Sequence, residues 1–218
     1  WWEAQLPPSQ ASERQNFMAE PAPSRRTSPT KRAILDAALE LASARGITGT
    51  SMDDVAQLAG VAKGSLYYNF SSKDRLFEVL LEEGIVAVAA RLSERSAGLA
   101  GREALRALVD GVITLTQENT EFAKLMAAEL FRMDRSWQQS FAALRHEVLG
   151  LFATALDVAA GDGTGSAPTP RPARLIGAAG VFGASLLAGL EWLVFEPDLP
   201  RETVVEAVLE QLSLGGER

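Results

Sequence analysis

The chain has 218 residues, of which 47% are hydrophobic and 22% charged, the balance of a globular protein that can bury a core. It has no cysteine and one histidine, which excludes disulfides, thiolate metal sites and a histidine-based metal cluster. The formal net charge is −7, yet residues 24–75 hold eight Lys/Arg against five acidic residues, whereas residues 76–218 hold 12 against 20. A basic front joined to an acidic body indicates a charge-attracting module attached to a second unit.

Residues 1–29 are rich in proline and show no periodic apolar pattern, so we predict a disordered N-terminal arm. The chain opens with two tryptophans, and its first methionine is Met18. We therefore expect translation to begin at Met18 and residues 1–17 to be upstream sequence, a hypothesis that the intact mass of protein from the native host would decide. The arm shows no signal-peptide pattern of a charged segment followed by an apolar run.

Four helices are predicted over the front of the chain. Apolar residues at three- and four-residue spacing predict a first helix from residue 30 that ends at Gly46. Residues 51–54, Ser-Met-Asp-Asp, are typical of a capping box that opens a short second helix, which Gly60 ends. A third short helix follows at about 62–69. Residues 71–74, Ser-Ser-Lys-Asp, predict another capping box and a long fourth helix.

The remainder is also predicted to be helical, with no strand alternation and no internal repeat, so the fold class is all-α. The Gly- and Pro-rich segment 161–170 is predicted to be a mobile loop. The predicted helices lie at about 101–119, 121–131, 135–160, 172–195 and 201–213.

The second and third helices have the spacing of a helix-turn-helix, with Gly60 where the turn must tighten. On a helical wheel, Leu66 and Phe70 point inward, toward a pocket formed by Ile34, Ala38 and Val55. The opposite face carries a glycine, a hydroxyl and a phenol, flanked by a cation, a second phenol and an amide: Gly64, Ser65, Tyr68, Lys63, Tyr67 and Asn69.

Groups of these kinds meet base edges and phosphates in the major groove of DNA. Each member taken alone has an ordinary structural explanation. Tyr67 could be a half-buried packing residue with a solvated hydroxyl, and Lys63 or Lys73 could be a surface lysine like any other. The combination is more specific than its members, and it predicts a DNA-reading helix.

Residues 30–81 resemble the DNA-binding domain of the TetR (tetracycline-repressor-like) family. The resemblance rests on an Ile-Leu-x-Ala-Ala-x-x-Leu first helix, on Asp54-Val55-Ala56-x-x-Ala59-Gly60-Val61, and on the run from Lys63 to Lys73. Ala62 departs from the Ser or Thr that is usual before Lys63, which removes one possible contact to the DNA backbone.

The resemblance implies a role for each matching position. Thr50 and Ser51 would contact phosphates, and Tyr67, Asn69 and Lys73 would grip the backbone. The residues that would face the bases are Lys63, Gly64, Ser65 and Tyr68. The resemblance also implies a bacterial cytoplasmic, nucleoid-associated regulator that binds a double-stranded operator as a homodimer. Residues 30–75 would form the DNA-binding domain, and residues 76–218 a helical ligand-binding and dimerisation domain.

The uncharged run 175–190 raises the alternative of a membrane span. Its 16 residues, bounded by Arg174 and Glu191, fall short of the roughly 20 that a bilayer requires, so we predict no membrane association. Small residues at four-residue spacing, together with an apolar final helix, instead predict a four-helix dimer interface. The pairs are Ala179/Gly183, Ala184/Ala188 and Ser185/Gly189, and the final helix offers Val204, Val205, Val208, Leu209 and Leu212.

Aromatic and methionine side chains between residues 85 and 195 suit an irregular apolar cavity for a small effector, although for each residue plain core packing is the more frequent explanation. Gln117, His146 and Glu191 are further polar groups that could orient a ligand. The candidate ligand residues are Phe122, Met126, Glu129, Met133, Trp137, Phe141, Arg145 and Trp192.

These observations predict a ligand-responsive DNA-binding regulator, most simply a repressor that a mostly apolar effector releases from a pseudo-palindromic operator. One alternative is a DNA-binding dimer that is controlled by a protein partner, or acts as an activator, without small-molecule input. A helical enzyme would need a nucleophile, a base or a metal, and the residue types for these are scarce. We predict no catalytic residues, no metal and no cofactor.

Overall fold

The computed structural model describes residues 28–129, 138–159 and 172–213, and within these ranges the chain forms nine helices and no strand. The all-α prediction is confirmed. The helices are α1 (Pro29–Gly49), α2 (Met52–Leu58), α3 (Lys63–Asn69), α4 (Lys73–Ser96), α5 (Gly101–Glu118), α6 (Thr120–Glu129), α7 (Gln138–Ala159), α8 (Pro172–Phe195) and α9 (Arg201–Ser213). The predicted disordered arm and mobile loop lie outside the described residues, apart from Ser28 and Pro29.

Helix α1 begins at a proline that follows a serine cap, since Pro29 occupies the first turn and the Ser28 hydroxyl oxygen accepts the Lys31 N–H at 3.2 Å. The predicted end at Gly46 is a kink: Gly46 has φ +74°, which interrupts the helix before one further turn. A glycine suits this position because φ is positive there. The kink turns Ile47 into the core, where its side chain is fully buried.

Helix α2 begins with the predicted capping box. The Ser51 hydroxyl oxygen accepts the Asp54 N–H at 3.1 Å, and the Asp54 carboxylate accepts the Ser51 N–H at 3.4 Å. It ends in a Schellman turn, in which the Val61 N–H donates to the Ala56 carbonyl at 3.0 Å and Gly60 has φ +66°. These local bonds fix the direction in which the chain enters α3.

Helix α4 begins one residue later than its capping-box pattern predicts. Ser72 is the cap, and its hydroxyl oxygen accepts the Arg75 N–H at 3.1 Å. The reciprocal half of the box is missing because Arg75, which cannot accept a hydrogen bond, occupies the position that the motif gives to an acid.

Helix α4 connects the first three helices to the rest of the chain. Midway along it, Gly84 lies so close to α6 that an added Cβ would sit 2.2 Å from the Phe122 ring. One residue earlier, the Glu83 carboxylate pairs with Lys31 of α1 at 2.6 Å. Helix α6 also packs against α1. The front of the molecule is therefore held against α4 and α6 together.

Helix α5 is the centre of the second part of the molecule and packs against α4, α7, α8 and α9. Asp110 of α5 pairs with Arg95 of α4 at 3.1 Å and with Arg201 of α9 at 3.0 Å, so one carboxylate links three helices. A further ion pair between Arg174 and Asp157 joins α8 to α7.

Helix α8 has one face in the core and one in solvent. Ser185 is fully buried, and an added Cβ on Gly189 would lie 3.2 Å from Thr116 of α5. The Trp192 indole N–H donates to the Leu199 carbonyl at 3.0 Å and fixes the turn into α9. The exposed face carries four large apolar side chains: Ile176, Leu187, Val194 and Phe195.

This arrangement changes the set of residues available to a partner chain. The pair Ser185/Gly189, which was predicted to face a partner, packs on the subunit's own α5. Val204, Val205 and Val208 of α9 are likewise buried within the subunit. The physical reason is that α5 itself needs an apolar cover on this side, and α8 and α9 supply it.

Residues Arg174–Phe195 of α8 are long and apolar enough to cross a membrane by length and composition, with a mean hydropathy of 1.7. This stretch of 22 residues exceeds the 16-residue run on which the sequence argument rested. The same helix packs against α5, α6, α7 and α9. Because 33% of its apolar stretch is buried, core packing explains part of its apolar character.

Candidate nucleic-acid interface

The orientation of α3 is set by two buried side chains, Leu66 on its inner face and Phe70 at its C-cap. Leu66 is 0% exposed and Phe70 1% exposed. The predicted pocket residues of α1 and α2, namely Ile34, Ala38 and Val55, are all fully buried in the same core. Because a seven-residue helix has no stable orientation alone, this burial decides which of its faces meets solvent.

The opposite face of α3 is open. Tyr68 is 90% exposed and Tyr67 50% exposed, and an added Cβ on Gly64 would meet no atom within 4 Å. Ser65 is partly exposed. The Asn69 amide donates to the Ser65 carbonyl at 2.8 Å, so this side chain also closes the end of its own helix. The structure thus leaves free the surface that the helical wheel predicted to be outward.

Beside α3, the segment between α1 and α2 forms an open concavity together with the start of α4. It gathers four of the predicted DNA-contacting residues, Thr50, Ser51, Tyr67 and Lys73, on one surface. The sequence argument missed its other lining residues: Thr48, Gly49, Met52 and Asp53. Their proximity follows from the kink at Gly46, for which the sequence offered only a helix-ending glycine.

Four of the side chains predicted to contact the DNA backbone make bonds within the protein: Thr50, Ser51, Asn69 and Lys73. The Thr50 side chain is buried, and its hydroxyl donates to the Gly46 carbonyl at 3.0 Å. In this arrangement Thr50 shapes the concavity, while its neighbour Ser51 is exposed. The Lys73 ammonium donates to the Thr48 carbonyl at 3.1 Å, which holds the cation at the rim.

Acidic residues of α2 are paired with cations of α1 and α3. The Lys63 ammonium lies 2.5 Å from the Asp53 carboxylate, and this hydrogen bond raises the pKa of Lys63. Arg45 lies 2.9 Å from Asp54. The pKa of Asp54 is lowered, chiefly by the hydrogen bond from the Ser51 hydroxyl and also by the Arg45 charge.

The candidate ligand residues are only partly located by the structure. Phe122 and Trp192 are buried in the core, and Met126 packs against it. Glu129 is the last residue of α6. Met133 and Trp137 lie outside the described residues, as do the side chains of Phe141 and Arg145 in α7. Within the described residues, no group of three or more acidic or histidine side chains is placed to hold a metal.

In a comparison with known proteins, residues 34–80 match the family model described as "Bacterial regulatory proteins, tetR family". The HTH-type transcriptional regulator RutR of Escherichia coli K12 is 45% identical over 60 residues, which cover 28% of this chain and 28% of RutR. The regulator AcrR of Shigella flexneri is 42% identical over 53 residues, or 24% of this chain and 25% of AcrR. The chain thus spans only about a quarter of the length of these relatives.

The similarity of fold extends much further than the similarity of sequence. The fatty acid degradation regulator FadR of Bacillus halodurans has a TM-score of 0.71 at 20% identity, covering 89% of this chain and 99% of FadR. FadR of Bacillus subtilis, in complex with stearoyl-CoA, has a TM-score of 0.68 at 20% identity, and the match covers 83% of this chain and 96% of that FadR. AibR, in complex with isovaleryl-CoA and operator DNA, has a TM-score of 0.67 at 22% identity, and the match covers 84% of this chain and 97% of AibR.

Truncation of a side chain on the inner face of α3 should lower the stability of the protein far more than truncation on the outer face. Leu66→Ala should lower the free energy of unfolding by about 2–5 kcal/mol because it leaves a cavity in the core. Tyr68→Ala, its matched control two residues away, should change it by less than about 0.5 kcal/mol because the phenol is exposed. Chemical denaturation of both variants measures the difference. Equal destabilisation would contradict the assigned orientation of the helix.

The sequence match and the helix-turn-helix geometry coincide over residues 34–80, and the helices that follow adopt a fold seen in whole regulator structures. The resemblance noted in the sequence is confirmed: the chain carries the N-terminal domain of the tetR family of bacterial regulatory proteins, followed by a helical second domain.

Proposed function

We propose that the protein is a transcriptional regulator of the TetR family, a repressor that binds a pseudo-palindromic DNA operator as a homodimer in the bacterial cytoplasm. The observation that carries this proposal is that the inner face of α3 is buried and its outer face is exposed, within the segment that matches the family. The similar proteins named above are regulators, and IcaR of Staphylococcus aureus strain Newman, 44% identical over 45 residues, is a negative regulator.

The geometry suits insertion of α3 into the major groove. Gly64 lets the helix backbone approach the base edges, and Ser65 and Tyr68 supply a hydroxyl and a phenol beside it. The adjoining concavity would receive the DNA backbone, with Ser51, Tyr67 and Lys73 as the groups toward phosphate. Lys63 and Asn69 flank the reading surface, and Thr50 would act by holding the turn in place.

Replacing Lys73 tests the proposed contact with the DNA backbone. Lys73→Gln should weaken operator binding about three- to tenfold and make the dependence of log affinity on log salt shallower by about 1, because one phosphate contact is lost. The measurement is fluorescence anisotropy with an operator that the wild-type protein selects from a random-sequence pool. Arg91→Gln is the control, since Arg91 pairs with Glu118 at 2.7 Å in the second domain. Equal salt dependence in wild type and Lys73→Gln would remove Lys73 from the interface.

A second copy of the chain is the proposed cover for the exposed face of α8. Leu187, Val194 and Phe195 lie in or beside an open apolar groove along the end of this helix. Small residues on the same helix, among them Gly180 and Ala184, would let a partner helix approach closely. An isologous contact would relate two α3 helices by twofold symmetry, as a pseudo-palindromic operator requires.

Replacing Leu187 tests the dimer. Leu187→Asp should convert the protein to a monomer because a charge would be buried at the centre of the apolar contact. Sedimentation velocity measures the association state, and loss of operator binding should accompany it. Leu99→Asp is the control, because Leu99 is an exposed apolar residue in the turn between α4 and α5. A Leu187→Asp protein that remains dimeric would place the interface elsewhere.

The proposed effector is a small, mostly apolar molecule, and an acyl thioester is the first class to test because FadR and AibR are in complex with stearoyl-CoA and isovaleryl-CoA. Effector binding near α6 would reach the DNA-binding helices by a short route. Phe122 of α6 presses on Gly84 of α4, and α6 itself packs against α1. A molecule that prefers one arrangement of these helices must change DNA affinity by the same factor by which DNA changes its own affinity.

Thermal unfolding with stearoyl-CoA, isovaleryl-CoA, free coenzyme A and stearate tests this class of effector. An acyl-CoA that binds should stabilise the protein by about 2.7 kcal/mol at a concentration of 100 times its Kd, and should weaken operator binding in parallel. Free coenzyme A serves as the control for the shared headgroup. Unchanged melting with all four ligands, together with unchanged operator affinity, would favour regulation by a protein partner or action without a small molecule.

A further inference from the structure

The DNA-facing surface contains a carboxylate that the proposed function does not use. Asp53 lines the same concavity as Ser51, Tyr67 and Lys73. An uncompensated negative charge there would repel phosphate. The Asp53 side chain instead lies 2.5 Å from the Lys63 ammonium, the cation at the start of α3.

The neighbouring acid shows what a purely structural carboxylate does at this helix. Asp54 completes the capping box with Ser51 and pairs with Arg45, so the start of α2 depends on it. Asp53 takes no part in that cap. Among the described residues its ion-pair partner is Lys63, ten positions later on another helix. A favourable position near the α2 N-terminus explains why an acid is tolerated at residue 53, but it does not explain the pairing with Lys63.

We propose that Asp53 is a specificity-determining residue: it holds Lys63 away from phosphates and thereby lowers the affinity of the protein for non-operator DNA. This inference rests on the proposed function. Binding to any duplex is driven by cations that neutralise phosphates, and each such contact adds to affinity regardless of sequence. A phosphate that contacts Lys63 is brought beside the Asp53 carboxylate, and the repulsion between these two negative charges weakens the contact.

On a cognate site the pair need not break. An ammonium has three donors, so Lys63 can keep its bond to Asp53 and still donate to a base acceptor in the major groove, which is uncharged and is not repelled by the carboxylate as a phosphate is. The carboxylate therefore penalises the phosphate contact more than the base contact. Specificity for the operator arises because complexes with non-operator DNA are weakened. Both side chains are exposed, Lys63 by 64% and Asp53 by 59%, so the pair is accessible to DNA.

The test uses full-length protein and a short random-sequence duplex, so it needs no knowledge of the operator. Asp53→Asn should bind this DNA about three- to tenfold more tightly at low salt, with a log–log salt slope steeper by about 0.9, because Lys63 gains a phosphate contact. Glu40→Gln is the matched control. It removes one negative charge from an exposed residue of α1, and it should leave the affinity nearly unchanged.

A double-mutant cycle assigns the effect to the pair. In a Lys63→Gln background, Asp53→Asn should add no more than Glu40→Gln does. A gain that persists in that background, or one that Glu40→Gln reproduces, would overturn the proposal as general electrostatics. Wild-type and variant proteins that all fail to bind DNA at low salt would overturn the proposed function as well, so the two failures are distinguishable. Circular dichroism checks that each variant keeps its helical content.

Discussion

The burial of Leu66 and Phe70 is the constraint on which the interface depends. Helix α3 is only seven residues long and cannot be stable by itself, so its rotation about its own axis is fixed by what its inner face packs against. Gly64, Ser65 and Tyr68 are outward only because these two side chains are inward. The Schellman turn at Gly60 and the cap at Ser51 add the second requirement, the angle at which α3 leaves α2.

The same core extends into the second domain, so the front of the molecule is packed directly against it. Helix α4 begins beside the concavity next to α3 and runs into the helical domain, where Gly84 allows the Phe122 ring to approach its backbone. The ion pair between Lys31 and Glu83 ties α1 to the same stretch. A shift of α6 must move these contacts together, because tightly packed interiors transmit displacement with little compression.

Local patterns predicted most of the fold because capping, helix-ending glycines and apolar periodicity act over a few residues. The helix bounds for α8 and α9 matched the sequence prediction, and the inner and outer faces of α3 followed from a helical wheel. What failed depended on distant contacts. Apolar spacing alone does not say whether Ser185 and Gly189 face the chain's own α5 or a partner chain, since both kinds of burial select the same residues. The pairing of Asp53 with Lys63 is likewise set by tertiary geometry, and the local bond from the buried Thr50 hydroxyl to Gly46 follows from a kink that apolar spacing does not encode.

The net charge of −7 is compatible with an affinity for DNA because the charges are segregated. Most acidic residues lie beyond residue 75, in the domain farther along the chain from α3, while the front segment carries a surplus of cations. Two of the acids in that segment, Asp53 and Asp54, are already paired with Lys63 and Arg45. The front segment of the chain is therefore less repulsive to a polyanion than the acidic remainder, which favours encounters through the front segment.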